Sequence, residues 1–235
     1  MALPILNTPK FELTLPLSKQ KITYRPFLVK EEKVLLMALE SKDQKQIIRA
    51  MHDIVETCTF GSVNARQLPV AELEFIFLKL RTKSIGENSH VGVKCQACGE
   101  QNEIDLNLEE INLDVKDVAD KKIMLTDTVG VMMKYPTADD VMKNVNSNKS
   151  EIENTYAVIA ASLDKIFDTE NVYDVSTQSK EEVNDFIESL NQKQFEKIKE
   201  FFEGLPRLKH PVNFTCEKCK HENSFSLEGL ENFFA

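Results

Sequence analysis

Two stretches, Val93–Leu106 (VKCQACGEQNEIDL) and Phe214–Leu227 (FTCEKCKHENSFSL), decide the reading of this chain. Each holds a Cys-x-x-Cys turn, with Cys95 and Cys98 in the first and Cys216 and Cys219 in the second. A thiolate sits readily at each end of such a turn, and four thiolates complete a tetrahedral zinc shell without further ligands. The expectation is one structural zinc ion held by Cys95, Cys98, Cys216 and Cys219.

The two stretches also repeat each other. Aligning Cys95 with Cys216 pairs Val93 with Phe214, Asn102 with Asn223, Ile104 with Phe225 and Leu106 with Leu227. Each half reads as strand, knuckle, strand, the layout of a zinc ribbon with approximate two-fold symmetry. The knuckles lie more than a hundred residues apart, far outside the usual ribbon loop, so the ribbon is split. Its metal would tie the middle of the chain to its C-terminal end.

Other uses of paired cysteines compete with zinc. The opening MALPILNTPKFELT lacks a basic stretch followed by an apolar one, so the chain is read as intracellular with reduced thiols, against paired disulfides. A redox dithiol calls for a knuckle at a helix start, whereas both knuckles here run into alternating, strand-like residues. Cys58 falls on the helical face Ile47, Met51, Ile54, Val55, Cys58 and reads as a small buried apolar residue. His90, His210 and His221 flank the knuckles and could substitute as ligands, but with four thiolates available they are read as bystanders or outer hydrogen-bond donors.

Composition bounds the remainder. With 235 residues, 42% of them hydrophobic, the chain can bury one large core or two modest ones. No stretch approaches eighteen consecutive apolar residues, so no membrane span is expected. A formal net charge of -9 argues against a nucleic-acid ribbon, because phosphate binding needs a concentrated basic surface. No Gly-rich phosphate loop, Gly-x-Ser-x-Gly elbow or His-Glu-x-x-His helix is present. Neither catalysis nor a small-molecule substrate is expected.

The periodicities predict an α+β fold, a helical bundle plus a split four-cysteine zinc ribbon with a small antiparallel sheet. FELTLPL and KITYRPF form a hairpin ending at Pro26. Three helices follow: Lys30–Glu40 with Val34, Leu35 and Ala38 inward, one capped by Asp43 and running to Cys58, and one opened by Pro69. KKIMLTDTVGVMMKYP holds two strands expected to extend the ribbon sheet. Helices are then expected at Asp139–Asn144, Glu151–Phe167, Ser179–Leu190 with a capping box through Glu182, and Gln192–Gly204. The domain reading is 1–88 (hairpin and helices), 89–136 (first ribbon half and sheet), 137–205 (inserted helices) and 206–235 (second ribbon half and tail).

Arg25, held at a strand-to-helix corner by Pro26, is read as an internal brace, with a carboxylate on a partner as the alternative, and Phe27 and Leu28 staple that corner to the core. The segment Leu106–Asp114 and the tail Leu227–Ala235 are candidate docking surfaces. Phe233 and Phe234 are read as core anchors, with apolar knobs for another subunit as the alternative.

The run ITYRPFLVKEEKVLLMALES (Ile22–Ser41), then LPVAELEFIFLKLRTKSIGE (Leu68–Glu87), the Cys95 knuckle and VGVMMKYP (Val129–Pro136) together resemble the baseplate family of T-even type contractile-tailed phages. That group includes the baseplate hub assembly protein. The resemblance covers at least the first 140 residues in order and carries little of 140 to 205. It implies a viral tail protein that binds other baseplate hub proteins, as a transient assembly factor or as a retained subunit, in the host cytoplasm during assembly or in the tail baseplate. It supplies no catalytic residues. A nucleic-acid-binding ribbon is the remaining alternative, and it lacks the basic, aromatic-studded face it would need.

Overall fold

The computed structural model describes residues 6–115, 121–146 and 149–233. In chain order its elements are β1 (Phe11–Thr14), β2 (Lys21–Tyr24), α1 (Val29–Ser41), α2 (Gln44–Cys58), α3 (Val70–Ile85), β3 (Asn88–Lys94), β4 (Gln101–Asn107) and β5 (Asn112–Asp114). There follow β6 (Lys122–Met124), β7 (Gly130–Met133), α4 (Ala138–Asn144), α5 (Glu151–Ala161), β8 (Leu163–Phe167), β9 (Val172–Asp174), α6 (Lys180–Glu188) and α7 (Gln192–Glu203). The last strands are β10 (Arg207–Thr215) and β11 (Glu222–Glu228), ahead of a short helical turn at Leu230–Phe233. Helices and small antiparallel sheets are thus mixed in one chain, which divides into two compact units, 1–115 with 207–235 and 116–206.

The first unit is organised around α3. An ordinary surface helix buries one stripe, but α3 buries Leu73, Phe75, Ile76, Phe77, Leu78 and Leu80, which points its apolar side chains in every direction. It is the central element, in contact with α2, β5, β10 and the Leu230–Phe233 turn. Its first turn also carries the fully buried Glu72. The Glu72 carboxylate accepts from the Leu17 and Ser18 backbone N–H groups at 2.7 and 2.8 Å, so the helix start pins the β1–β2 hairpin turn.

Arg25 is the internal brace its position suggested. Its backbone N–H donates to the Cys58 carbonyl at 3.0 Å, and its guanidinium donates to Glu31 at 3.0 Å. Glu31 in turn accepts the Leu28 N–H at 2.7 Å, closing the first turn of α1. Phe27 is buried at this corner as expected, but Leu28 is exposed. Along α1 the burial also departs from expectation: Ala38 is buried and Val34 is on the surface.

Residues 116–206 interrupt the first unit at two adjacent points, because β5 and β10 are antiparallel neighbours with Asp114 opposite Arg207. The strands of KKIMLTDTVGVMMKYP do not extend the ribbon sheet. They form β6 and β7 of a separate antiparallel sheet ordered β6-β7-β8-β9 within the second unit. The partner strand, β8, lies inside the stretch expected to be helical through Phe167, and the helix instead stops at Ala161. Ile159, Leu163 and Ile166 suit a helix face by spacing alone, and pairing with β7 decides against it. The sheet packs Val131, Met133 and Leu163 against Ile159, Val183, Ile187, Ile198 and Phe201 of α5, α6 and α7. Gly130 is required at its centre, since a Cβ there would meet the Phe167 ring at 2.4 Å.

Ser179 caps α6 by accepting from the Glu182 N–H at 3.2 Å, with Glu182 reaching back to the Ser179 N–H at 2.8 Å, the capping box legible in the sequence. Among the described residues no helix is long and apolar enough to cross a membrane.

Candidate metal centre

Each knuckle is a hairpin tip. Strands β3 and β4 pair Val93 with Asn102, and β10 and β11 pair Phe214 with Asn223, so the repeat seen in sequence is a repeat of register. The tips close with the same bonds. Cys95 N–H donates to the Glu100 carbonyl at 2.8 Å and Gly99 N–H to the Cys95 carbonyl at 2.9 Å. In the second tip Cys216 N–H donates to His221 at 2.9 Å and Lys220 N–H to Cys216 at 3.0 Å. Gly99 and Lys220 occupy equivalent places with φ of 73° and 60°, the left-handed geometry that turns the chain out of the knuckle.

The two tips meet. Cys95 Sγ lies 3.6 Å from Cys219 Sγ and Cys98 Sγ lies 3.7 Å from Cys216 Sγ, and all four sulfurs fall within 4.8 Å of one another. All four are free thiols. Cys95 and Cys216 are buried while Cys98 and Cys219 face outward, so the cluster has an inner and an outer pair. The structure therefore brings together all four cysteines singled out in the sequence. A tetrahedral tetrathiolate zinc site, with Zn–S near 2.3 Å, needs sulfurs about 3.8 Å apart, close to the cross-knuckle spacings found here. These four residues could hold one metal ion.

Two asparagines lock the tips together. Asn223 Oδ1 accepts the Gln96 N–H at 2.9 Å, and its side-chain nitrogen donates to Cys95 Sγ at 3.6 Å. Asn102 does the reciprocal work, accepting the Glu217 N–H at 3.0 Å and donating to Cys216 Sγ at 3.8 Å. Each also donates within its own knuckle, Asn102 to the Glu100 carbonyl at 2.9 Å and Asn223 to His221 at 3.1 Å. Both are buried. Sequence reading paired these residues but gave them no role; the available signal was an amide recurring seven places after the first cysteine of each knuckle. At the rim Lys218 pairs with Glu100 across the tips at 2.5 Å.

The neighbours of Cys95 and Cys98 pull these two thiols in opposite directions. Burial works against the Cys95 thiolate, but the Cys98 and Ala97 backbone N–H groups and Asn223 stabilise it, and it is lowered to about 6. The Glu100 N–H favours the Cys98 thiolate, yet the neighbouring Cys219, burial, Cys216 and Cys95 outweigh it and push it up to about 12. Negative charge gathered on the first thiolates makes the last one hold its proton, and a dication at the centre would reverse that repulsion.

The flanking histidines do not join the cluster. His90 pairs with Asp105 through Nδ1 at the surface, and His221 contributes its backbone carbonyl to the knuckle turn. Cys58 is fully buried and burial pushes its thiol up to about 11, in keeping with a small apolar role. Of the docking candidates, Leu106, Leu108, Ile111 and Leu113 are buried, and Phe233 is wholly buried with its carbonyl accepting from Ser89 Oγ at 2.8 Å. Phe233 is a core anchor, and Phe234 lies outside the described residues.

Fold and site define a mixed α and β protein in which two cysteine hairpins, one before and one after an inserted unit, converge on a four-thiol cluster able to take a metal. No curated protein and no solved structure matches the chain. The family model described as T4 bacteriophage base plate protein matches residues 8–235, and the chain belongs to that family. The match includes 140–205, where the motifs carried little.

Proposed function

We propose that this baseplate protein acts in assembly of the baseplate hub by binding other baseplate proteins, without catalysis, and that its four cysteines hold one structural zinc completing a split ribbon. The observation that carries the reading is the family match over nearly the whole chain. The zinc is supported by donor chemistry: four thiols within 4.8 Å of one another, two of them accepting from buried amides, favour a soft dication. The metal's part is to neutralise the thiolates and join the hairpins; this chain's asparagines orient the sulfurs and its strands hold the turns.

A charge of -9 without a basic stripe favours protein partners over nucleic acid. The test is affinity capture from cells co-expressing the other baseplate proteins of the same phage, run beside mass spectrometry of finished particles. Capture of a hub protein with absence from particles is the result expected of an assembly factor. Presence in particles would make the protein a retained subunit, and capture of no baseplate protein would contradict the reading.

A further inference from the structure

Helix α1 reads VKEEKVLLMALES, and from Val34 to Leu39 it is apolar without interruption. A helix apolar all round belongs in a core, yet α1 buries only one side, through Glu31 and Ala38. The opposite side is the stripe Val29, Lys33, Leu36, Glu40, spaced i, i+4, i+7, i+11, with Met37 beside it. Val29 is 79% exposed, Leu36 54% and Met37 61%.

The charges on this stripe are placed with a symmetry the monomer does not use. Lys33 and Glu40 are exposed, and among the described residues neither has an ion-pair partner. Seven residues apart, they stand roughly 10 Å from each other along the axis, too far to pair within the helix. They are equidistant from the midpoint between Leu36 and Met37. A two-fold axis through that midpoint, perpendicular to the helix, would set each Lys33 against the Glu40 of another copy and Leu36 against Met37. A parallel arrangement would oppose lysine to lysine and glutamate to glutamate, which like-charge repulsion disfavours.

We propose that this face of α1 docks antiparallel on α1 of a second copy of this chain, an isologous contact closed by two reciprocal Lys33–Glu40 pairs around an apolar centre. A 13-residue helix spans roughly 20 Å, so the contact covers less than the ~800 Å² per partner of a standard interface and the dimer is a weak, concentration-dependent one. The proposal stands independently of the hub reading.

Sedimentation equilibrium of the full chain, carried into the millimolar range, tests it. Self-association is expected, weakened roughly tenfold or more by Lys33→Glu and by Glu40→Lys and abolished by Leu36→Glu, with thermal melts unchanged. Mixing the two charge-reversed proteins should restore association, because one then presents only acids and the other only lysines at the paired positions. That rescue is beyond the reach of a misfolded variant. A chain that stays monomeric throughout, a dimer indifferent to the reversals, or a mixture that fails to associate would each overturn the proposal.

Discussion

Asn223 reaches across from one knuckle to Cys95 of the other, its side-chain nitrogen 3.6 Å from the sulfur. The same side chain accepts the Gln96 N–H at 2.9 Å, so one residue both seats the turn and faces the ligand atom. Asn223→Ala strands that backbone donor, at about 1 to 3 kcal/mol, and removes a bond of the kind whose loss weakens metal binding roughly 10- to 100-fold. Competition against a chelating dye is expected to show that loss, and Asn102→Ala should match it. Retention equal to the native chain in either variant would mean that the amides are not part of the metal site.

The buried Arg25–Glu31 pair gives a pH-dependent prediction. Glu31 feels burial pushing its carboxyl upward, but the Arg25 guanidinium and the Leu28 N–H outweigh it and hold the group below its ordinary 4.5. A carboxylate lowered in the folded state contributes stability that is complete above the unfolded value and lost as pH falls through the folded one. Glu31→Gln is therefore expected to destabilise the chain at neutral pH, with the gap to the native chain narrowing as pH falls below 4.5 in urea titrations. A gap that is constant down to acid pH would contradict the pairing.

Phe233 is wholly buried and its carbonyl is held by Ser89. Phe233→Ala is expected to cost about 3 to 5 kcal/mol in chemical denaturation, the range for deleting a buried aromatic ring. A cost below about 1 kcal/mol, typical of surface positions, would place the ring outside the core.

Lys220 holds a φ of 60° in the second knuckle, where the first has Gly99. A side chain in the left-handed region costs about 1 kcal/mol, against which glycine's greater freedom in the unfolded chain must be set. Lys220→Gly is expected to raise stability by a few tenths to about 1 kcal/mol, read from the denaturation midpoint. A fall in stability would show that the lysine makes a compensating contact.

What was legible in the sequence follows physical locality. The knuckles, the capping box at Ser179, the Asp43 cap and the Pro26 corner are set by neighbours within a few residues, and each lies where its residues put it. The convergence of the four cysteines was legible because chemistry, and not distance along the chain, links them. The β6-β7-β8-β9 sheet was not: Leu163–Phe167 has a spacing that serves helix and strand alike, and only its long-range pairing with β7 resolves it. The same holds for α1, where Val34, Leu35 and Ala38 share a face by spacing, yet Ala38 is buried and Val34 lies on the surface.

One metal is expected to join the two hairpins, which lie before and after residues 116–206 in the chain. Elemental analysis of the purified full-length chain, kept reduced throughout, addresses it most directly. One zinc per chain is the expected result, released in full by Cys216→Ser. A chain with no metal, or with two equivalents bound independently by the two knuckles, would contradict it.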